Sequence, residues 1–160
     1  MAVDMFMKVG DLTGESKDKT HKESIDVLAW SWGMSNSGSA HMGPGAGAGK
    51  VNVQDISFTK YVDKSSTNLL MACCTGKHYT DAKLTVRKAG DTPLEYLIIT
   101  MKEVMVTAVS TGGSGGEDRL TENVTLNFAS FVTEYKPQKP DGSGDASVFA
   151  KYNMAENIKE

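Results

Sequence analysis

Short apolar runs alternate along the chain with clusters of Gly, Ser and Asp, a pattern typical of β-strands joined by turns. Helical segments do not alternate with these runs, so the pattern predicts a mainly β fold, an antiparallel barrel or sandwich. The predicted strands cover residues 3–9, 25–34, 51–61, 84–88, 94–110 and 123–135, with a further short one at 147–152.

One segment, residues 63–77, is predicted to be helical. Asp63, Ser65 or Ser66 can cap its start. Gly76 can adopt the left-handed conformation that commonly ends a helix. The prediction is therefore one helix in an otherwise β chain.

The apolar face of this helix contains both cysteines of the chain. Leu69 lies four residues before Cys73, and Leu70 four before Cys74, so the two pairs share one side. A metal site would need more ligands at a suitable spacing, and His78 is the only nearby candidate. We therefore interpret Cys73 and Cys74 as small side chains that fill the core.

The run 25–34 has two faces of different character. Alternation places Leu28, Trp30 and Trp32 on one face, which we predict to be core. The opposite face is nearly neutral and becomes smaller toward its end, whereas a soluble barrel normally exposes charged or larger polar groups there. That face therefore suits close approach by another molecule. Its residues are Ile25, Val27, Ala29, Ser31 and Gly33.

The run 94–110 is apolar on both sides, so its second side must also be covered. Either the helix at 63–77 or a neighbouring subunit can cover it, and the sequence leaves both possibilities open. One face holds Leu94, Tyr96 and Ile98, continued by Val104, Val106 and Ala108 after an interruption at Lys102, and the other holds Leu97, Ile99, Met101 and Met105.

Length and composition are those of a folded globular protein, and we expect residues 1–160 to form a single domain. Apolar residues make up 39% of the 160 residues and charged residues 23%. The net charge of −3, without a cluster of lysine and arginine, argues against binding to nucleic acid. No apolar stretch is long enough for a membrane span, which argues against membrane insertion.

The N-terminal sequence MAVDMFMKVG lacks the basic segment and the continuous apolar core of a cleavable signal peptide. The only two cysteines are adjacent and cannot form a disulfide framework. We therefore expect folding in a reducing cytosol. If the protein is exported, the route must be one that does not read a cleavable signal.

The sequence GPGAGAGK at residues 43–50 is similar in composition to a phosphate-binding loop. The required pattern G-x-x-x-x-G-K-[ST] places Pro44 where the first glycine belongs and Val51 where a hydroxyl must bind Mg²⁺. The residues that follow predict a strand, whereas phosphate is held at a helix N-terminus. Nucleotide binding is therefore not predicted.

The three histidines, His21, His41 and His78, are scattered and show none of the spacings of metal sites. A Ser-His-Asp triad needs no neighbouring residues, but no G-x-S-x-G turn supports one. We predict no catalytic, metal-binding or cofactor-binding residues, and hence no enzyme.

Several blocks of the sequence resemble the haemolysin-coregulated protein (Hcp) family, the tube-forming component of bacterial type VI secretion. They occur in family order and cover residues 1–139, whereas the tail at 140–160 is less distinctive. The blocks are MAVDMFMKVGD, GESKDKTHKESIDVLAWSWGMS, GAGKVNVQDISFTKY, the helix ending in ACCTGKHY, KLTVRKAG and STGGSGGEDRLTENVTLNF.

That resemblance implies a small antiparallel β-barrel of two sheets with one short helix packed on its side, similar to phage tail-tube proteins. It implies homohexameric rings that stack into a tube, export of the protein itself, and small effector proteins carried and chaperoned in the lumen. The implied partners are further copies of the chain, the effectors, and the spike and sheath of the secretion machine. No cofactor is implied. The protein would be cytoplasmic when assembled and then secreted, outside the cell or into a target cell.

The resemblance also gives meaning to particular residues. We expect Ala29, Ser31 and Gly33 to face the lumen, with Ser31 contacting cargo. The loop at 35–50 is far longer than a hairpin requires, and we expect it to be an arm that reaches a neighbouring subunit or ring. The turn at 89–91 and the tail at 140–160 are expected on opposite rims. The predicted subunit or ring contacts are Gly43, Pro44, Gly45, Ala46, Gly47, Ala48, Gly49, Lys50, Ala89, Gly90 and Asp91.

Two other functions stay open. A free hexameric carrier or chaperone of effectors would need the same ring without a long tube. A small β-barrel hydrolase or lectin-like binder would instead be a monomer or dimer with a concave site lined by convergent polar residues.

Overall fold

The computed structural model describes residues 2–39, 41, 43 and 49–160. The elements in chain order are β1 (Val3–Val9), β2 (Ile25–Ser31), β3 (Met34–Ser35), β4 (Asn52–Val53), β5 (Ile56–Tyr61), α1 (Ser66–Thr75), β6 (His78–Lys88), β7 (Leu94–Thr111), β8 (Thr121–Asn127), β9 (Ser130–Tyr135), β10 (Val148–Asn153) and β11 (Ile158–Lys159).

Six antiparallel strands close into a barrel. They follow the order β7, β6, β1, β2, β5, β8 and return to β7, which pairs with β8. Closure leaves no free edge within the ring of strands, so every barrel strand has two partners. The predicted mainly β barrel with one short helix is confirmed. Its fully buried interior contains Met7, Val9, Ile56, Leu84, Met101, Val124 and Leu126.

The long strand β7 belongs to two layers at once. Its second half pairs with β8 within the barrel, and its first half pairs with β9, which continues outward to β10 and β11. The predicted strand at 123–135 is therefore two strands, β8 and β9, lying one after the other along β7. The break at Ala129 faces the middle of β7, where the Ala129 amide donates to the Lys102 carbonyl at 2.9 Å.

A backbone irregularity at Glu103 changes which side chains of β7 point into the core. Glu103 has a φ of 54°, which breaks the alternation of side chains. Met101 and Val104 are both fully buried in consequence, and Val106 follows them into the core. The prediction that Val104 and Val106 lie on the opposite face from Met101 was wrong.

The helix is shorter than predicted, but its end is as expected. Gly76 has a φ of 68°, and its amide donates to the Ala72 carbonyl at 2.9 Å. The buried stripe is Ser66, Leu69 and Ala72, and the helix packs against β7. It therefore covers part of the strand that is apolar on both sides.

The outward side of the helix corrects the interpretation of the cysteines. Leu70 and Cys74 are exposed and Cys73 is half-buried against the core. The stripe at 66, 69 and 72 faces the barrel, and Cys73 lies at its border, whereas Cys74, two positions past Ala72, points away from it. The prediction that both cysteines fill the core was wrong for Cys74.

Candidate functional site

A β-bulge in β2 decides which side chains reach the outer surface. The register of β2 against β5 shifts between Val27 and Ala29. Ile25 and Val27 are buried, and Trp30 then packs against the same core, whereas Leu28 is 40% exposed. The prediction that Leu28 lies in the core opposite Ile25 and Val27 was wrong, because the extra residue restarts the alternation.

Beyond the bulge, small side chains of four strands form one outer surface. The pairings of β2, β5, β8 and β7 align two cross-strand rows on it. None of these side chains carries a formal charge. We call this surface the neutral band, and its eight residues are Ser31, Ser57, Thr125 and Ala108 in one row and Ala29, Thr59, Asn123 and Ser110 in the other.

Hydroxyl and amide groups pair with one another along the band. The Ser57 and Thr125 hydroxyls lie 3.0 Å apart, and the Thr59 hydroxyl donates to Asn123 Oδ1 at 2.6 Å. These cross-strand bonds satisfy part of the polar surface and hold the side chains in fixed positions.

A carboxylate beside the band is satisfied in the same way. Asp55 accepts hydrogen bonds from the Thr107 hydroxyl at 2.8 Å and from Asn127 Nδ2 at 2.9 Å. Thr107 also approaches the Thr125 carbonyl at 3.3 Å, which connects this group to the band. The negative charge of Asp55 is therefore held by two neutral donors.

A shallow concavity of about 180 Å³ lies in the neutral band. It is large enough for a single side chain and open to solvent. Its walls are Ala29, Trp30, Ser31, Ser57, Phe58, Thr59 and Asn123.

Aromatic packing anchors the chain just past the end of β2. The Trp32 indole donates to the Gln54 carbonyl at 2.8 Å, and its ring meets Phe131 edge-on at a centroid distance of 4.8 Å. Gly33 lies past the end of β2, where its carbonyl accepts from the Gln54 amide at 2.9 Å. Of the three residues predicted to share this surface, Ala29 and Ser31 lie in the band and Gly33 lies beside Gln54.

The barrel also contains a buried ion pair that the sequence reasoning missed. Lys60 on β5 pairs with Glu122 on β8, and its ammonium also lies 3.0 Å from Asp63 and 3.1 Å from the Ser66 hydroxyl. Lys60 is fully buried and Glu122 nearly so. The alternation of inward and outward side chains was the available signal for this pair, because Lys60 and Glu122 occupy inward positions that continue the apolar faces of β5 and β8.

The loop between β1 and β2 is fastened by a second charged cluster. Arg87 on β6 binds Asp18 in this loop at 2.5 Å and Asp4 on β1 at 3.0 Å. The hydrogen bond from Arg87 holds the pKa of Asp18 well below its ordinary value, and the same bond raises the pKa of Arg87. His21, in the same loop, stacks on Phe6 with a centroid distance of 4.4 Å. These contacts serve the fold.

The glycine-rich arm begins in a short ribbon of β3 and β4. The Gly49 amide donates to the Ser37 carbonyl at 3.1 Å, and a Cβ on Gly49 would meet the Ser37 hydroxyl at 2.3 Å. A larger residue at Gly49 would therefore have to displace the Ser37 side chain, whereas glycine fits where the outgoing and returning segments of the arm meet. Gly43 and Lys50 are exposed. Five predicted contact residues lie outside the described residues: Pro44, Gly45, Ala46, Gly47 and Ala48.

The turn at 89–91 is the tip of the hairpin between β6 and β7. Ala89, Gly90 and Asp91 are all exposed. Gly90 has a φ of 152°, and a Cβ there would meet no atom within 4 Å. The tip is thus free for contact, although its backbone favours glycine at the central position.

The C-terminal strand presents an apolar surface that the sequence reasoning did not anticipate. Val148 and Phe149 on β10 are 59% and 58% exposed. On the side away from β9, β11 pairs only with Tyr152 and Asn153, so within the described residues the first part of β10 is an open sheet edge. An open apolar edge is a template for another chain. Consecutive apolar residues at 148 and 149, which must point to both faces, were the available signal.

A groove of about 560 Å³ separates this strand from the base of the arm. Apolar side chains form its floor, and three lysines stand around it. Its lining includes Met34, Val53, Phe131, Phe149 and Tyr152 together with Lys50, Lys151 and Lys159.

The described part of the chain contains no cluster of three or more His, Cys, Asp or Glu side chains arranged for a metal ion. Likewise, none of its helices has the length and apolar character to cross a bilayer.

Comparison with known proteins points in one direction. The family model described as "Type VI secretion system effector, Hcp" matches residues 6–135. A Pseudomonas aeruginosa protein named hcp1 is 69% identical over 161 residues, which cover 99% of both chains.

Solved structures agree with the sequence matches. A structure described as a type six secretion system protein has a TM-score of 0.94 at 26% identity, over 99% of this chain and all of the other. Hcp1 from Salmonella typhimurium has a TM-score of 0.80 at 34% identity, over the whole of both chains. A type VI secretion system effector from Yersinia pestis has a TM-score of 0.78 at 36% identity, over 94% of this chain and 99% of that one.

Proposed function

Because the chain belongs to the Hcp family of type VI secretion proteins, we propose that it is a structural subunit of the secretion tube and not an enzyme. It assembles into hexameric rings that stack, is itself secreted, and carries and chaperones small effector proteins in the lumen. Its further partners are the spike and the sheath of the secretion machine.

The observation that carries this proposal is the open apolar edge of β10. Val148 and Phe149 expose more than half of their surface in the isolated chain, and the edge beside them lacks a strand partner within the described residues. Exposed apolar surface at a sheet edge is stabilised by burial against another copy. A closed ring supplies that copy to every subunit.

The neutral band supports a position inside the ring, because its properties are the opposite of those of the apolar edge of β10. Its side chains are small, uncharged and hydrogen-bonded to one another, so it presents no apolar patch for another chain to bury. In the ring it faces the lumen, where Ala29 and Ser31 contact carried effectors. The arm at 35–50 and the turn at 89–91 reach neighbouring subunits or rings, and the lysines around the groove beside β10 favour an acidic contact surface.

The proposal is tested by the mass of the purified protein in light scattering. The native chain should give a hexamer, and Phe149→Asp should lower the mass to that of smaller species while leaving the barrel folded by circular dichroism. Leu70→Asp, on the exposed side of α1, is the matched control and should remain hexameric. A stable native monomer would refute the ring.

A further inference from the structure

We propose that the concavity between α1 and the segment after β1 is a binding site for an α-amino acid with an apolar side chain, held through both its ammonium and its carboxylate group. The site shares no residue with the neutral band, with the groove beside β10 or with the predicted contacts of the ring. The inference therefore goes beyond the proposed function and does not depend on it.

The concavity has a volume of about 440 Å³ and runs alongside the helix. Its helix wall includes Asn68, Met71, Ala72 and Thr75, which are spaced i, i+3, i+4 and i+7 and so lie on one side of α1. Leu12, which is buried, belongs to the opposite wall. The volume falls within the range of small-molecule sites, about 300–1,000 Å³, and the lining offers apolar contact from both walls.

Tyr79 supplies a hydrogen-bond donor that lacks a partner. The residue is 5% exposed, and a Cβ on Gly10 would meet its ring at 2.7 Å, so the ring is closely packed. Within the part of the chain that the structure describes, the Tyr79 hydroxyl makes no hydrogen bond, and the oxygen is not fully enclosed. It therefore opens to the concavity, where a ligand can provide the missing acceptor.

The surroundings of Tyr79 keep this hydroxyl protonated. Burial of the ring, and next the negative charge of Asp11, raise the pKa of Tyr79. The phenol is therefore neutral at physiological pH and donates to an acceptor.

Two opposite charges flank the hydroxyl. Lys77 Nζ lies 5.0 Å from the centroid of the Tyr79 ring, and Asp11 is near enough for its charge to act on the same phenol. Both residues line this concavity and a smaller one of about 370 Å³ that adjoins it at Tyr79. Among residues 2–39, 41, 43 and 49–160, neither Asp11 nor Lys77 forms a salt bridge.

An α-amino acid matches this arrangement because it carries a cation and an anion on the same carbon atom. Its carboxylate accepts from the Lys77 ammonium and the Tyr79 hydroxyl, and its ammonium donates to Asp11. Its apolar side chain then lies against Leu12 and Met71. A ligand with only one of the two charges would face a like charge on the protein without compensation, so the site selects the zwitterion.

Calorimetric titration of the full chain with three probes of similar apolar shape tests the proposal. The probes are L-leucine, 4-methylpentanoate, which lacks the ammonium, and 3-methylbutylamine, which lacks the carboxylate. Leucine should bind about tenfold more tightly than either analogue, the effect of one charge-assisted hydrogen bond. If leucine did not bind, or if either analogue bound as tightly, the proposal would be overturned.

A pair of variants tests the donor. Tyr79→Phe removes only the unpartnered hydroxyl and should weaken binding of leucine about fivefold, the effect of one hydrogen bond, while the melting temperature stays near the native value. Tyr61→Phe, on β5 and outside both concavities, makes the same change and should bind as the native chain does. Native affinity in Tyr79→Phe would count against the site.

Asp11→Asn separates a site for a zwitterion from a site for any carboxylate. The change should weaken binding of leucine and strengthen binding of 4-methylpentanoate, because it removes both the partner of the ammonium and the charge that repels a lone carboxylate. Tighter binding of leucine to Asp11→Asn than to the native chain would overturn the proposal.

Discussion

The buried ammonium of Lys60 lies between the carboxylates of Glu122 and Asp63. It joins β5, β8 and the segment that leads into α1, so it fixes the helix against the barrel. The carboxylates of Glu122 and Asp63 share the Lys60 ammonium, so replacing Lys60 with a neutral residue leaves two negative charges without a counter-charge.

Lys60→Met should therefore destabilise the fold by about 3–5 kcal/mol, the usual cost of breaking a buried pair from one side. Urea denaturation followed by circular dichroism measures this loss. Replacing Lys60 and Glu122 together, in Lys60→Met with Glu122→Leu, should restore a large part of it, because the Asp63 carboxylate, which also accepts hydrogen bonds from Ser65, is then the one carboxylate of the three-residue cluster left beside an apolar side chain. A double variant less stable than Lys60→Met would contradict this account of the pair.

Asp18 gives a prediction with a defined pH dependence. Its pKa is lowered in the folded protein, chiefly by the hydrogen bond from Arg87. The stability that it contributes is thus complete above the unfolded carboxyl pKa of about 3.9 and is lost as the pH falls below that value. Asp18→Asn should lower the melting temperature at neutral pH, and its difference from the native chain should shrink below about pH 4.

Melting curves between neutral and acidic pH measure this effect. Asp91→Asn, at the exposed turn, removes the same charge without a comparable contact and serves as the control. A constant difference between Asp18→Asn and the native chain across the whole range would argue against the Arg87 bond as the cause.

Among the elements, the arm is held closed at its base. Two features hold its outgoing and returning segments together: the ribbon of β3 and β4, and the hydrogen bond from the Gly49 amide to the Ser37 carbonyl. This base separates the arm from the barrel core, so the two can be altered independently.

Shortening the arm between Ser39 and Gly49 should impair formation of rings or tubes while the barrel stays folded. Thermal melting checks the fold, and sedimentation velocity checks the assembly. A matched change shortens the glycine-rich loop at 112–116, which should leave assembly as it is. If the variant with the shortened arm assembled normally, the arm would not be a contact between subunits or rings.

The sequence predicted strands better than it predicted their faces. β1 and β7 were placed nearly to the residue because their apolar runs end at clear turn signals. The facing of β2 and β7 was wrong in part, because a bulge after Val27 and the positive φ of Glu103 insert one residue into the alternation. Nothing in single-residue propensity marks where a bulge will lie, since the pairing of the neighbouring strand decides it.

The sequence predicted only the part of the neutral band that lies on a single strand, β2. Ala29 and Ser31 were visible as small residues in a strand, but Thr59 and Asn123 join them through pairing between strands distant in sequence. The apolar edge of β10 escaped notice because exposure is a property of the folded chain. Val148 and Phe149 are typical core residues by type.

In a stacked tube, we expect the turn at 89–91 and the C-terminal tail to lie on opposite rims of the ring, which meet between rings. Disulfide trapping tests this arrangement in a Cys73→Ala, Cys74→Ser background, since Cys74 is exposed. Ala89→Cys and Asp91→Cys, each combined with Ala155→Cys or Glu156→Cys, avoid the positive φ of Gly90 and of Asn157.

Oxidation of these pairs should join rings into tubes that a reductant takes apart again. Each single cysteine variant is the control and should yield at most pairs of rings. If no combination produced tubes, the two rims would not be neighbours, and the stacking arrangement would have to change.

Whether the chain builds a ring can be seen by electron microscopy of the purified native protein. We expect annular particles with sixfold symmetry and an open centre. Compact particles without a central opening, at concentrations where the protein is fully folded, would contradict it.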